Sequence, residues 1–248
     1  LFHLWRALQH RHYDLVIQVA DTSLTGWLCT KMSGARHTLG AQGRLATSYD
    51  WVYETATEDA HAYDVTTYIA KALQLPCEAK PWMVISEDEQ HQAQKLLQQL
   101  SAQPFDVGVF VGGHLDKRLP LVFWQSLMSQ LNTLQTRFIV LVGPEEETLR
   151  PHLEAYTGDY GTLAPCMPLR IFAACLKELP RLITPDTGPM HMAVALDVPV
   201  TVILNIEGSM KFAPHGPHDT VLFQPALHEI VLTLTADSVL TEAMTHAA

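Results

Sequence analysis

Three residues of complementary chemistry, Asp186, Thr187 and Gly188, stand together after a short apolar run. An aspartate can hold a turn, a threonine offers a hydroxyl, and a glycine lets a ligand approach the backbone. The first N–H groups of a helix have no acceptor within the helix and carry the positive end of its dipole. If a helix begins here, the segment is suited to bind a phosphate group, and His191 lies one turn further on.

The neighbouring sequence predicts the elements that position this segment. An apolar run at 182–183 precedes it as a strand, small and apolar residues follow as a helix, and 200–204 reads as the next strand. This order is typical of a buried parallel sheet, in which ligands bind beyond the carboxyl ends of the strands. A structural explanation stays open, in which Asp186 or Thr187 only caps the helix and His191 is an ordinary histidine.

A second candidate for phosphate binding follows the buried strand predicted over 105–111. That strand ends in Gly112 and Gly113, and the cations Lys117 and Arg118 stand just before a predicted helix. Glycines admit a ligand to the backbone, and cations neutralise a diphosphate. A basic surface turn without a ligand is the alternative.

Composition argues against several classes of function. The 248 residues carry a formal net charge of −10 with histidine neutral, whereas nucleic acid as a partner requires clustered Lys and Arg. Neither the four cysteines nor the 13 histidines show the spacing of a metal site. We therefore expect reduced thiols, no metal site and a cytoplasmic location. No segment reaches the ~20 apolar residues of a membrane span.

The spacing of the first segment resembles the nucleotide-sugar signature of glycosyltransferase family 9, the ADP-heptose:lipopolysaccharide heptosyltransferases and their relatives. The pattern DTG-x-x-H-x-A-x-A-L-x-x-P runs here from Asp186 to Pro199. Where the family has a Lys followed by Trp-Pro, this chain has residues 117–120 with Leu in place of Trp. That difference leaves open whether Lys117 or Arg118 is the phosphate ligand.

The resemblance implies roles for individual side chains. Thr187 and Gly188 would bind the diphosphate or ribose of a nucleotide sugar, while Asp186 holds the turn. His191 would contact a phosphate or the donor sugar. A cation of the 117–118 pair would offset the charge of the departing nucleotide diphosphate.

Two further positions become candidates by analogy. Met167 precedes a predicted helix at a place where this fold often contacts the base, so it is a candidate for adenine contact. Gly143 and Pro144, followed by Glu145 and Glu146, resemble a Gly-Pro-x-Glu turn near the nucleotide in the family. Alternatively, these glutamates have a structural role only, because the helix dipole favours acidic residues in the first turn of a helix.

Alternating strands and helices in two halves, with the resemblance, predict an α/β fold of two Rossmann-like domains facing a cleft, the GT-B architecture. We expect an incomplete N-terminal acceptor-side domain over 1–84, a connecting helix and linker over 85–104, and a C-terminal nucleotide-sugar-binding domain with a C-terminal helix over 105–248. The first domain lacks the opening strand and helix of the family. Because Leu1 already lies in an amphipathic pattern, we expect residues before it.

The resemblance implies an inverting glycosyltransferase that moves heptose from ADP-heptose to a lipopolysaccharide-core or similar lipid-linked glycan. No cofactor is required, Mg²⁺ is compatible with the donor, and membrane contact is at most peripheral at the inner membrane. The family's base lies in a Gly-Asp motif of an opening stretch that this sequence does not show, so the catalytic residue is unknown and Asp21 is the candidate. The alternative is a non-catalytic nucleotide-sugar-binding protein or subunit of the same fold.

Overall fold

The computed structural model describes residues 2–19, 23–54, 61–114 and 117–234. The chain forms two compact units, Leu1–Lys80 and Pro81–Ala248. Each unit has a parallel β-sheet with helices and its own hydrophobic core. The predicted α/β fold class is therefore confirmed.

The first unit is built on a sheet that, over the described residues, has three parallel strands in the order β1-β2-β3. The strands are Leu15–Ile17 (β1), His37–Ala41 (β2) and Trp51–Tyr53 (β3), and the helices are Phe2–Gln9 (α1), Leu24–Met32 (α2) and Asp64–Ala72 (α3). Leu39, Ala41 and Tyr53 form its buried core, against which α3 packs.

The second unit contains a larger parallel sheet, with six strands among its described residues in the order β6-β5-β4-β7-β8-β9. The strands are Val107–Val111 (β4), Phe138–Val142 (β5), Gly161–Leu163 (β6), Leu182–Pro185 (β7), Val200–Leu204 (β8) and Thr220–Phe223 (β9). The helices are Glu87–Leu100 (α4), Leu121–Thr133 (α5), Arg150–Glu154 (α6), Leu169–Lys177 (α7) and Gly188–Ala195 (α8), with a further helical segment at 227–234.

The strand order of the second unit reverses in the middle of its sheet. The chain starts at β4, adds β5 and β6 on one side, and then crosses to add β7, β8 and β9 on the other. β4 and β7 are hydrogen-bonded neighbours although two strands separate them in sequence. The loops that follow these two strands leave in opposite directions, which opens a crevice at their carboxyl ends.

The four central strands of this sheet are buried on both faces, as their apolar sequences predict. Every residue of β4 and β5 is buried. Along β4, Val109 and Val111 pack on the side of Trp124 and Leu127 from α5, whereas Phe110 packs on the opposite side with Phe172. This two-sided core fixes the ends of β4 and β7 relative to each other.

The helix α4, expected as part of the connection between domains, lies in the second unit and packs against α7. It begins with a capping box: Ser86 Oγ accepts from the N–H of Glu89 at 3.3 Å, and the Glu89 carboxylate accepts from the N–H of Ser86 at 2.8 Å. The same carboxylate receives two hydrogen bonds of 2.7 Å from the guanidinium of Arg170 on α7. None of the helices in the described ranges is long and apolar enough to span a bilayer.

Candidate functional site

A cavity of about 420 Å³ opens in the second unit where the loops after β4 and β7 diverge. Five of the residues that the sequence predicts for ligand binding line it: Lys117, Asp186, Thr187, Gly188 and His191. The rest of the lining is Phe110, Gly113, His114, Pro144, Glu145, Glu146 and Pro189. Two segments that are distant in sequence thus form one site.

The two glycines after β4 allow the chain to turn over a buried carboxylate. A Cβ added at Gly112 would lie 2.7 Å from the ring of Phe110 and 3.0 Å from Cδ of Glu146. Gly113 has a φ of +148°, a conformation that other residues rarely adopt. Its N–H points to Glu146 Oε1 at 3.4 Å. The turn therefore requires glycine at both positions, and it leads the chain back towards Lys117.

Asp186 holds Lys117 in the wall of the cavity. Its Oδ2 lies 2.5 Å from Nζ of Lys117, and the aspartate side chain is only 3% exposed whereas the lysine is 32% exposed. The other oxygen, Oδ1, has no hydrogen-bond partner among the described residues, and His191 Nε2 lies 3.9 Å from it. A carboxylate so buried requires a cation to offset its desolvation, and Lys117 provides it.

The explanation of Asp186 and Thr187 as side-chain caps of the helix is wrong. Thr187 occupies the N-cap position of α8, but no side chain makes a capping hydrogen bond there. The hydroxyl of Thr187 instead donates to the carbonyl of Pro185 at 3.2 Å, and Asp186 is engaged with Lys117. Both side chains therefore stabilise the turn itself.

The helix start offers a ligand fewer backbone donors than the sequence suggests. The N–H groups of Met190 and His191 both donate to the carbonyl of Thr187, at 3.1 and 3.5 Å, and Pro189 has no N–H. Within the described part of the chain, the N–H of Gly188 is the one in this first turn without an acceptor. A Cβ added at Gly188 would meet nothing within 4 Å, and the residue lines the cavity, so a ligand can approach its backbone.

The structure separates the roles of the two cations after β4. Lys117 lines the cavity, whereas Arg118 does not. Arg118 Nη2 donates to Glu146 Oε1 at 2.8 Å, and the Glu146 side chain is 5% exposed. Arg118 thus neutralises a carboxylate of the cavity wall, and Lys117 is the cation that a ligand in the cavity would meet.

Two neighbours of the cavity were not predicted from the sequence. Phe212 ends the 3₁₀ helix Glu207–Phe212, and its ring lies 5.8 Å from Nζ of Lys117 and 6.4 Å edge-to-face from the ring of His191. Lys211, the preceding residue, has its Nζ 5.1 Å from the same ring. The segment 207–212 carries no recognisable motif. The one sequence signal that could have identified it is the Lys-Phe pair that follows soon after the core strand β8.

Other predicted positions do not meet at this cavity. Met167 is partly buried against the core cluster that contains Phe172 and does not line the cavity. Asp21 lies outside the described residues. Across the described ranges, no group of three or more His, Cys, Asp or Glu side chains is placed to hold a metal ion.

Comparison with known proteins gives matches at the level of family and fold. The model of glycosyltransferase family 9 (heptosyltransferase) matches residues 1–230. Comparison with curated proteins finds no match. Among solved structures, a glycosyl transferase family 9 protein from Veillonella parvula DSM 2008 is 20% identical with a TM-score of 0.70, over 94% of this chain and 70% of that one.

Two E. coli proteins are also similar in structure. Heptosyltransferase WaaC with ADP is 24% identical with a TM-score of 0.65, over 96% of this chain and 75% of its own. ADP-heptose lps heptosyltransferase II is 18% identical with a TM-score of 0.64, over 95% and 81%. At these identities the structures show a common fold.

Proposed function

The chain belongs to glycosyltransferase family 9, and from this premise we propose that it transfers heptose from ADP-heptose to a lipopolysaccharide-core or similar lipid-linked glycan, with inversion at the anomeric carbon. The donor nucleotide binds in the cavity between the loops after β4 and β7. Similar folds in E. coli support the choice of donor, because one was solved with ADP and another is named for ADP-heptose.

The observation that carries the proposal is the position of Lys117. Asp186 fixes its amine at the wall of the cavity that is also lined by His191 and by Gly188, whose N–H has no acceptor among the described residues. Hydrogen bonds between a charged amine and an anionic oxygen contribute about 1.5–3 kcal/mol each. A site with one fixed cation and one open amide suits the oxygens of a diphosphate.

The proposed reaction is a single displacement. The acceptor oxygen attacks the anomeric carbon on the face opposite the diphosphate, and the bond from that carbon to the phosphate oxygen breaks. The electron pair of the broken bond remains on the diphosphate, where Lys117 stabilises the added negative charge because its amine is already in place. The proton of the acceptor hydroxyl passes to a base that we do not assign.

The other residues of the cavity contact the donor or hold the turn that contacts it. In this proposal the backbone of Thr187 and Gly188 approaches the diphosphate, while the hydroxyl of Thr187 keeps the turn closed. His191 contacts a phosphate or the donor sugar. A protonated His191 would add positive charge next to Asp186, because its Nε2 lies 3.9 Å from Oδ1 of the aspartate.

Calorimetric titration of the 248-residue chain with ADP, UDP and GDP, with and without magnesium, tests the donor site. We expect selective binding of ADP that does not require the metal. Binding of none of the three diphosphates would reject the proposal. Because the proposal assigns the neutralisation of the diphosphate to Lys117, an absolute requirement for magnesium would contradict that role.

An activity assay tests whether the chain transfers the sugar and inverts its anomeric configuration. Release of ADP from ADP-heptose should require a lipopolysaccharide-core acceptor, and the heptose should appear in the product with inverted anomeric configuration. Tight ADP binding without release in the presence of acceptor would favour a nucleotide-sugar-binding protein of the same fold. Retention of configuration in the product would reject the single displacement.

A further inference from the structure

Buried carboxylates already neutralise the cations that the sequence assigns to the diphosphate. Lys117 pairs with Asp186, and Arg118 pairs with Glu146, whose side chain is as deeply buried as that of Asp186. Glu145 adds a third carboxylate to the lining. With histidine neutral, the described ionisable groups in and directly behind this lining therefore carry more negative than positive charge, although the proposed ligand is an anion.

Lys211 supplies a positive charge that this arrangement lacks. It is exposed, and within the described ranges it forms no ion pair. Its amine and that of Lys117 both lie within 5.8 Å of the centroid of the Phe212 ring. The Phe212 ring also lies 6.4 Å edge-to-face from His191, so it stands beside two lining residues, and Lys211 extends from a segment at the edge of the same cavity.

We propose that Lys211 binds the diphosphate of the donor at the mouth of the cavity, and that Phe212 positions it there; this rests on the proposed function. The face of an aromatic ring attracts an ammonium group weakly, so the ring holds the amine near the site before the ligand arrives. A lysine without a carboxylate partner breaks no ion pair when it turns to a phosphate. Its long flexible side chain allows that movement.

Lys117 and Lys211 differ in whether they have an ion-pair partner, and this difference determines what each contributes to binding. Lys117 is fixed by Asp186 and orients the ligand, but its charge is largely cancelled. Lys211 is exposed and has no ion-pair partner in the described ranges, so it brings a full charge and contributes mainly to affinity. Its contribution should therefore decrease as salt concentration rises, more steeply than that of a contact held inside the cavity.

Titration of the 248-residue chain with ADP tests this role of Lys211. We expect Lys211→Gln to weaken ADP binding about tenfold at low ionic strength, and less in high salt, as for the loss of one charged contact. Lys95→Gln is the matched control, because Lys95 is an exposed lysine on α4 whose removal changes the net charge equally. The control should bind ADP as the wild type does.

A second variant tests the positioning by Phe212. Phe212→Leu keeps an apolar side chain but removes the ring, so Lys211→Gln should cost less affinity in that background than in the wild type. Equal costs in the two backgrounds would reject the positioning role. If the wild type binds ADP and Lys211→Gln binds it equally well at low salt, the inference about Lys211 is wrong while the donor site stands. A wild type that binds no diphosphate rejects the proposed function, and this inference with it.

Discussion

Replacing Lys117 by methionine should destabilise the second unit as well as weaken nucleotide binding. Methionine keeps the apolar stem of lysine but removes its charge, so the Asp186 carboxylate loses the amine that lies 2.5 Å from it. That carboxylate is 3% exposed, and its Oδ1 has no hydrogen-bond partner among the described residues. Removing one partner of a fully buried ion pair costs about 3–5 kcal/mol, because the other charge stays in a dry environment.

The cost at Lys117 should be smaller than for a fully buried pair. The lysine side chain is 32% exposed, so water can enter when the amine is gone and solvate Oδ2. We therefore expect a loss of about 1–3 kcal/mol, the usual cost of an unsatisfied buried polar group. For a chain of this size about 1 kcal/mol corresponds to about 2–4 °C, so the Tm should decrease by about 2–12 °C.

Differential scanning calorimetry of four proteins measures this effect: the wild type, Lys117→Met, Asp186→Asn and the double variant. The double variant also removes the unpaired negative charge of Asp186, so it should recover most of the lost stability. It should not recover the affinity for ADP. Lys95→Met, at an exposed lysine of α4, controls for the substitution itself and should leave the Tm nearly unchanged. The reasoning is refuted if Lys117→Met melts like that control, or if the double variant is no more stable than Lys117→Met.

Three other predictions follow from the second unit. Gly188→Val should leave the Tm within about 2 °C of the wild type but weaken ADP binding at least tenfold in calorimetry, because the new side chain would enter open space beside the amide. Unchanged affinity would show that no ligand approaches there. Hydrogen bonds from Arg170, followed by the capping interactions, lower the pKa of Glu89 from 4.5 to about 2. Since this pKa is depressed in the folded state, its stabilisation is present above pH 4.5 and is lost as pH falls towards 2. Glu89→Gln should therefore show a shallower loss of unfolding free energy in urea titrations over that interval, and an unchanged slope would contradict the pairing. Burial raises the pKa of Cys175 to about 11, whereas Cys166 is exposed, so iodoacetamide should label Cys166 in the native protein and reach Cys175 only after unfolding, as mass spectrometry can show.

The sequence predicted the central strands of the second unit because those strands are fully buried. Strands such as β4 and β8 are continuous apolar runs that end in glycine or polar turns, and this pattern depends little on the rest of the chain. The capping box of α4 is equally local, because Ser86 and Glu89 stand only three residues apart in the sequence. Local chemistry of this kind can be read from one sequence.

The interactions inside the cavity could not be predicted in the same way. The pair of Lys117 with Asp186 joins residues 69 positions apart, and it forms only because β4 and β7 become neighbours. The sequence marked both residues but assigned Asp186 to the turn alone. Met167 became a candidate only by analogy, and because it lies outside the cavity lining and partly buried against the core, its contact with adenine stays a prediction.

The reversal of strand order links the fold to the charges of the site. Because β4 and β7 are adjacent and their loops diverge, the glycine turn after one strand faces the Asp-Thr-Gly turn after the other. A lysine from the first turn can then be fixed by an aspartate of the second, which removes the entropy cost of ordering it when a ligand binds. The same pairing cancels much of its charge. A site built in this way needs a further cation that is not paired. Lys211 is the only exposed lysine in the described structure that shares an aromatic neighbour with Lys117. One buried aspartate therefore explains both why Lys117 can orient the diphosphate and why an unpaired cation such as Lys211 would add to the affinity.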